Sequence, residues 1–550
     1  MIGVLADTAQ SSVVSEFFEL FKTPWEFYRE GPHYDTLICS NTEPPRSSAK
    51  LVLIYGTRPR LFDRENGIEI RSQRSNSVIS YKDKRIPIYG NCLTFAGPAT
   101  HGLIDESDQA SVGQEIASQH QTFIRIGFDL FGEIRHLLTR GQPPAHAAMP
   151  TLELHIALLR DLITSCAIPL VEILPLPSGY NFIVCLTHDV DHWGIRNYKF
   201  DHTMFGFLYR ALIGSVINFC RGRKSLRQVA VNWMAAFSLP FVHLGLAKDF
   251  WSDVDRYLEI EKGLTSTFFL IPSKGEPGHG AGGRQPSRRA ARYQISEIVP
   301  QVNRLLGGQC EVGLHGIDAW RDGAKGRAEL ERVRQITGQP EIGVRMHWLF
   351  FDENSAATLD KAGFSYDSTV GYNETVGYRA GTTQAFRPLE VERMLELPMH
   401  VMDTALFYPS YLDLSPKQAR AVVRPLIENA ARFGGVLTVN WHDRSLGPER
   451  LWGDFYVGLL EDLKSRGAWF PTASQAVSWF RKRRSAVIES VIREGDSVRV
   501  KVSIDHTADL PGLTLRVHKP PARSDAGPNQ TKYHTNLVDI EFNNSAEFEI

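Results

Sequence analysis

Residues 182–194 read FIVCLTHDVDHWG. Five apolar residues run directly into His188, Asp189, Asp191 and His192. An unbroken apolar run bounded by polar residues reads as a strand buried on both faces, which places the polar cluster at or just past its carboxyl end. In α/β proteins that end of the sheet is where chemistry is built.

Outward from this stretch, further short apolar runs recur at residues 266–271, 311–314, 343–346, 365–367, 395–400 and 436–441. Helical patterns lie between them, among them EIVPQVNRLLG and SPKQARAVVRPLIENAARFG. Such alternation predicts a mainly parallel sheet, closed or nearly closed into a (β/α) barrel. His315 follows one of these strands, His347 another, and His442 with Asp443 the last.

Before the barrel, residues 1–175 mix helical stretches (SSVVSEFFELF, FIRIGFDLFGEIRHLL, LELHIALLRDLI) with short strands (KLVLIYG, RIPIYG) and offer no catalytic motif. They read as an N-terminal α/β domain. A Pro-rich joint, IPLVEILPLPSGY, leads into the barrel, expected over 176–484 with a helical insertion near 197–250. Residues 485–550, with VRVKVSI and LTLRV alternating apolar and polar positions, read as a small C-terminal antiparallel β module. The basic run RKRR at 481–484 reads as a solvated helix end or linker, not a nucleic-acid patch.

The whole chain has 550 residues, room for about three domains at roughly 100–200 residues each. Its formal net charge is −1, so no global field draws it to nucleic acid or to an anionic membrane. Six scattered cysteines without CxxC spacing argue against a disulfide framework and against a thiolate zinc site. The amino terminus shows no secretory pattern, and the expectation is a cytoplasmic protein. Residues 203–247 qualify it, because two apolar stretches flank the basic loop RGRKSLR. They read as helices packed over the barrel or, alternatively, as a hairpin giving peripheral membrane contact.

Two acids at positions i and i+2 can divide a hydrolytic task. One holds a divalent cation, and its neighbour takes a proton from water on that cation. With these residues the chain resembles the polysaccharide deacetylases over roughly residues 180–480, which implies a distorted (β/α) barrel, one bound metal, usually zinc, and removal of acetyl groups from a carbohydrate substrate. THDVD is similar to the family's opening motif, making Asp189 the base and Asp191 a metal ligand. EVGLH resembles the strand that ends in a second ligand, His315. GVRMHW resembles the arginine motif, in which Arg345 orients the base through a bidentate ion pair. VLTVNWH is similar to the last strand and implies that His442 is the general acid.

One motif departs from the pattern. HGIDAW has Ala319 where a further metal histidine is usual, so a third ligand must come from elsewhere. His347 is the first candidate, since it stands two residues after Arg345 on a strand-like segment, and Asp318 is the second. The bland readings are a core histidine bonded to a carbonyl for His347 and a turn cap for Asp318. Asp443 is read as structural, paired with Arg444. Asp367, Arg379 and Asp403 follow other strands and could orient the histidine or hold hydroxyls. Trp348, Tyr372, Tyr378, Trp441 and Trp452 are candidates for stacking on sugar rings or for the core. Two further classes remain open: a non-catalytic carbohydrate-binding protein on the same barrel, and an amidohydrolase of a small non-sugar amide.

Overall fold

The structure is a computed structural model that describes residues 1–118, 120–251, 254–280, 287–494, 497–506, 508–519 and 536–550. Two compact units are present. One comprises Tyr180–Arg379 and Thr383–Ser478, the other Met1–Gly179, Ala380–Thr382 and Trp479–Ile550.

The first of these units is the expected distorted (β/α) barrel. Its sheet runs in the order Leu395–Glu396, Tyr366–Asp367, Val344–Met346, Glu311–Gly316, Ser266–Leu270, Phe182–Val190, Val436–Asn440 and Val401–Met402, with every neighbouring pair parallel. The two edge strands are separated only by residues 397–400, so the curled sheet comes round on itself without a ladder between its edges among the described residues. A single strand over 395–400 was expected. Pro398 interrupts it, because a proline has no N–H to give the ladder.

Phe182–Val190 also runs further than the apolar run alone indicates. Its last residues stay in register, Val190 opposite Leu270, because neighbours on both sides take up the polar groups. Alternation along a strand then sends Thr187 and Asp189 to one face and His188 to the other. The strands pack tightly. A Cβ on Gly343 would lie 2.0 Å from the Tyr366 ring, so only glycine lets these neighbouring strands approach. Val184, Leu186, Leu270, Leu314, Val344 and Leu437 form the barrel core with residues of flanking helices such as Gly323–Thr337 and Pro416–Phe433. Each such side chain contributes about 1.5–3 kcal/mol through burial.

In the other unit a sheet ordered Trp25–Phe27, Ile2–Leu5, Thr36–Ser40, Leu51–Tyr55, Thr122–Ile126, Gly113–Ala117 is parallel except for its last pair. FIRIGF, expected to open a helix, supplies the strand Thr122–Ile126, and the helix begins only at Leu130. The joint IPLVEI is not a plain linker either. Leu170–Ile173 is a strand paired antiparallel with Leu513–Lys519, so segments 1–175 and 485–550 share one compact unit.

RKRR differs most from its expected solvated state. Arg483 is buried and donates to the carbonyls of Glu19, Leu20 and Ile173 at 3.1, 3.0 and 2.7 Å, while Arg484 forks onto Glu16 at 2.9 and 2.7 Å. Glu19 and Leu20 lie in the last turn of the helix Ser11–Phe21, whose free carbonyls attract a cation. All six cysteines are free.

Candidate active site

Four strands of the barrel deliver the site. Asp189 ends the core of Phe182–Val190, and Asp191 follows it. His315 stands in Glu311–Gly316, while His347 and His442 come just after Val344–Met346 and Val436–Asn440.

Asp191, His315 and His347 converge, with their ligand atoms all within 4.8 Å of one another. Asp191 Oδ1 lies 3.2 Å from His315 Nε2 and 3.1 Å from His347 Nδ1, and the two nitrogens are 3.0 Å apart. The far nitrogen of each ring faces a backbone carbonyl, His315 Nδ1 that of Arg345 at 3.0 Å and His347 Nε2 that of Arg289 at 3.1 Å. A carbonyl only accepts, so each outer nitrogen must carry the proton. In the neutral rings the two inner nitrogens then present lone pairs, beside a carboxylate. Burial lowers the His347 pKa to about 4, which keeps that ring neutral at pH 7. Three lone-pair donors aimed at one point, with imidazoles oriented from behind by carbonyls, fit a divalent cation with one position left open.

Both readings of His347 therefore hold at once: it is bonded to a carbonyl and it joins the group. Asp318 is placed elsewhere. Its carboxylate accepts from His279 N–H at 2.7 Å and lies 2.7 Å from Lys325 Nζ, outside the convergent group.

Behind Asp191, Arg345 Nη1 donates to Asp189 Oδ1 at 2.9 Å and to Thr187 Oγ1 at 2.7 Å. The expected bidentate pair is absent. Arg345 Nη2 and Nε turn to Ser368 Oγ and O at 2.8 and 2.9 Å, and Asn440 Nδ2 holds the second oxygen of Asp189 at 2.8 Å. Burial is the largest influence on Asp189 and opposes its ionisation, yet Arg345, His315 and His442 together outweigh it and hold the carboxyl below its ordinary value.

His442 Nε2 is 4.0 Å from Asp191 Oδ2, and its Nδ1 is 2.6 Å from Asp403 Oδ1. Asp403 also accepts from the His442 backbone N–H at 2.7 Å and from the Ser445 hydroxyl. Burial works against an imidazolium, but Asp403, joined by Asp191 and Asp189, reverses this and raises the His442 pKa to about 9. Beside the group thus stand a buried carboxyl held below its ordinary pKa and an imidazole held above its own.

The remaining residues sort by direction. His188 points to the far face, 2.9 Å from Glu261, and His192 packs on Tyr198 and Trp251. Asp443 accepts from His192 N–H at 3.0 Å, whereas Arg444 lies over the Trp251 ring instead of pairing with it. Asp367 is buried beside Glu396 behind Ser368, and Arg379 lies over Phe351 and donates to Gly371 O at 2.9 Å. Of the aromatics, Tyr372, Tyr378 and Trp441 are core and Trp452 is half-buried. Trp348 is exposed, next to His347, in a left-handed conformation with φ 64° that turns it outward.

Asn440 is the site residue that sequence reading missed. The signal was present: Thr438, Asn440 and His442 alternate toward one face of VLTVNWH.

No protein-family model matches the chain, and no curated protein matches it. Solved structures do. A protein of Mycobacterium smegmatis assigned as a polysaccharide deacetylase is 17% identical over 56% of this chain and 95% of its own, with a TM-score of 0.34. Puue allantoinase is 14% identical over 55% of this chain and 90% of its own, with a TM-score of 0.33. A mutant of a CE4-family pseudoenzyme with restored enzymatic activity is 14% identical over 55% and 68%, with a TM-score of 0.25. At these identities and TM-scores the likenesses add nothing to what the geometry carries.

Proposed function

We propose that the chain is a metal-dependent hydrolase that removes acetyl groups from an amino sugar or an acylated polysaccharide precursor. The observation that carries this reading is the convergence of Asp191, His315 and His347, with the Arg345-paired carboxylate of Asp189 and the Asp403-paired imidazole of His442 beside it. Zinc suits two imidazoles and one carboxylate with an open fourth position. When bound, such an ion acidifies water from about 15.7 toward roughly 7.

The protein's own groups perform the remaining steps. Asp189, held by Arg345 and Asn440, accepts the proton of the attacking water. His442, kept protonated by Asp403, gives a proton to the departing nitrogen or oxygen. Trp348 offers a flat apolar surface beside His347 on which a pyranose ring can stack.

The test is a pair of variants. Asp189→Asn should abolish acetate release from acetylated sugars and leave metal stoichiometry intact. His347→Ala should lose metal as well as activity. Acetate release that survives Asp189→Asn, or full metal retention in His347→Ala, would overturn the assignment.

A further inference from the structure

In the helix Leu226–His243 the residues turned inward are Asn232, Ala235, Ala236, Leu239 and Val242. Turned outward are Trp233, Met234, Phe237 and Phe241. This departs from the pattern of a water-facing helix, because large apolar side chains point to solvent as well as into the fold. Phe237 is 67% exposed and Met234 62%. The stretch His202–Cys220 does the same, burying Met204, Phe207 and Ala211 while exposing Phe205, Tyr209 and Ile213. Trp233 Nε1 donates to Leu212 O at 3.4 Å, which sets the two outward rows beside one another. An apolar face this broad exceeds the single exposed residues that any surface tolerates.

Charge supplies the second observation. Between Asp201 and Asp249 the chain carries six Lys and Arg and no Asp or Glu. Arg221 and Arg227 are exposed in and just after the turn that joins the two stretches. Arg223 of the turn is paired with Asp413, whereas Arg221 and Arg227 have no acid within their own stretch, and apolar bulk beside such cations matches the chemistry of an anionic lipid surface.

We propose that this hairpin, residues 202–246, lies in the interfacial layer of an anionic bilayer, its outward aromatics at the acyl boundary and Arg221 and Arg227 against headgroup phosphates. The hairpin lies flat and does not span. His202–Cys220 is long and apolar enough to cross a membrane by composition, with mean hydropathy 1.3, yet it contains Arg210 and packs one side inside its unit. Lys224 Nζ donates to Glu449 O at 3.1 Å and Asn232 Nδ2 to Pro448 O, both in the loop that follows His442. Docking therefore brings the end of the barrel that carries the site to the headgroup layer. The proposal holds whichever reaction that site performs.

Flotation of the full chain tests it, using vesicles of phosphatidylcholine alone or mixed equally with phosphatidylglycerol. The protein should float with the mixed vesicles and about tenfold less with the neutral ones or at high salt. Phe237→Ser with Phe241→Ser, and separately Arg221→Glu with Arg227→Glu, should each weaken the partition about tenfold or more with an unchanged circular dichroism spectrum. Absence of flotation overturns the proposal, and equal binding to both vesicles removes its anionic partner. A chain that sediments as a dimer, becomes a monomer when both phenylalanines are replaced and never floats would make the face a contact between copies, which also overturns it.

Discussion

Asn440 bonds Asp189 twice, through Nδ2 to the carboxylate at 2.8 Å and through Oδ1 to the backbone N–H at 3.2 Å. It fixes the direction of Asp189, the proposed base, without being one of the convergent residues. Asn440→Ala should therefore lower kcat about 100-fold, as expected when a reacting group drifts by an ångström, while metal stoichiometry and KM stay close to wild type. Steady-state kinetics with metal analysis on the same preparation checks this. Among single side chains, Asp189, Asp191, His315, Arg345 and His442 were legible because each sits at a strand end within a recognisable motif. His347 was legible through its spacing from Arg345. Asp403 was legible as one of three acids or bases placed to orient the histidine, and it is the one that contacts His442, from 39 positions away. What escaped were partners fixed by folding, Asn440 and the Ser368 contacts that leave Arg345 only one nitrogen for Asp189.

The short basic segment at 481–484 shows how an element's surroundings override its composition. Four cations in a row favour water, yet the end of Ser11–Phe21 exposes carbonyls that only donors can satisfy. Arg483 meets two of them and the Ile173 carbonyl as well. Arg483→Ala would leave these acceptors buried without that donor, a cost of about 3 kcal/mol. Urea unfolding followed by far-ultraviolet circular dichroism should show the transition moving to lower denaturant. The core strands were readable from their apolar runs. Their ends were not, since Thr187, His188 and Asp189 look like a stop until neighbouring strands take their polar atoms, and only Pro398 marks the break at 397–400.

Across the chain as a whole, the pairing of Leu170–Ile173 with Leu513–Lys519 has no local signature, because a four-residue strand between prolines reads as a joint. It buries Glu172, whose carboxylate takes Arg160 at 2.7 Å through two bonds and His518 at 2.7 Å. Burial alone would raise that carboxyl, but Arg160 and His518 pull its pKa down to about 2. A depressed folded value stabilises at pH above the unfolded value near 4.3, and the contribution, about 3 kcal/mol, is lost as pH falls toward 2. Stability measured by urea unfolding from pH 6 to about 2 should fall steeply in that window for the wild type. Glu172→Gln should start lower and decline less, by one carboxylate's share.

The same ladder constrains how the protein is made. Glu172 and His518 are 346 residues apart. At about 5–20 residues per second, the earlier strand is synthesised roughly 17–70 s before its partner. Throughout that interval its hydrogen-bonding edge stands open to any extended chain nearby, so a nascent-chain chaperone has a defined stretch to shelter until Leu513–Lys519 emerges.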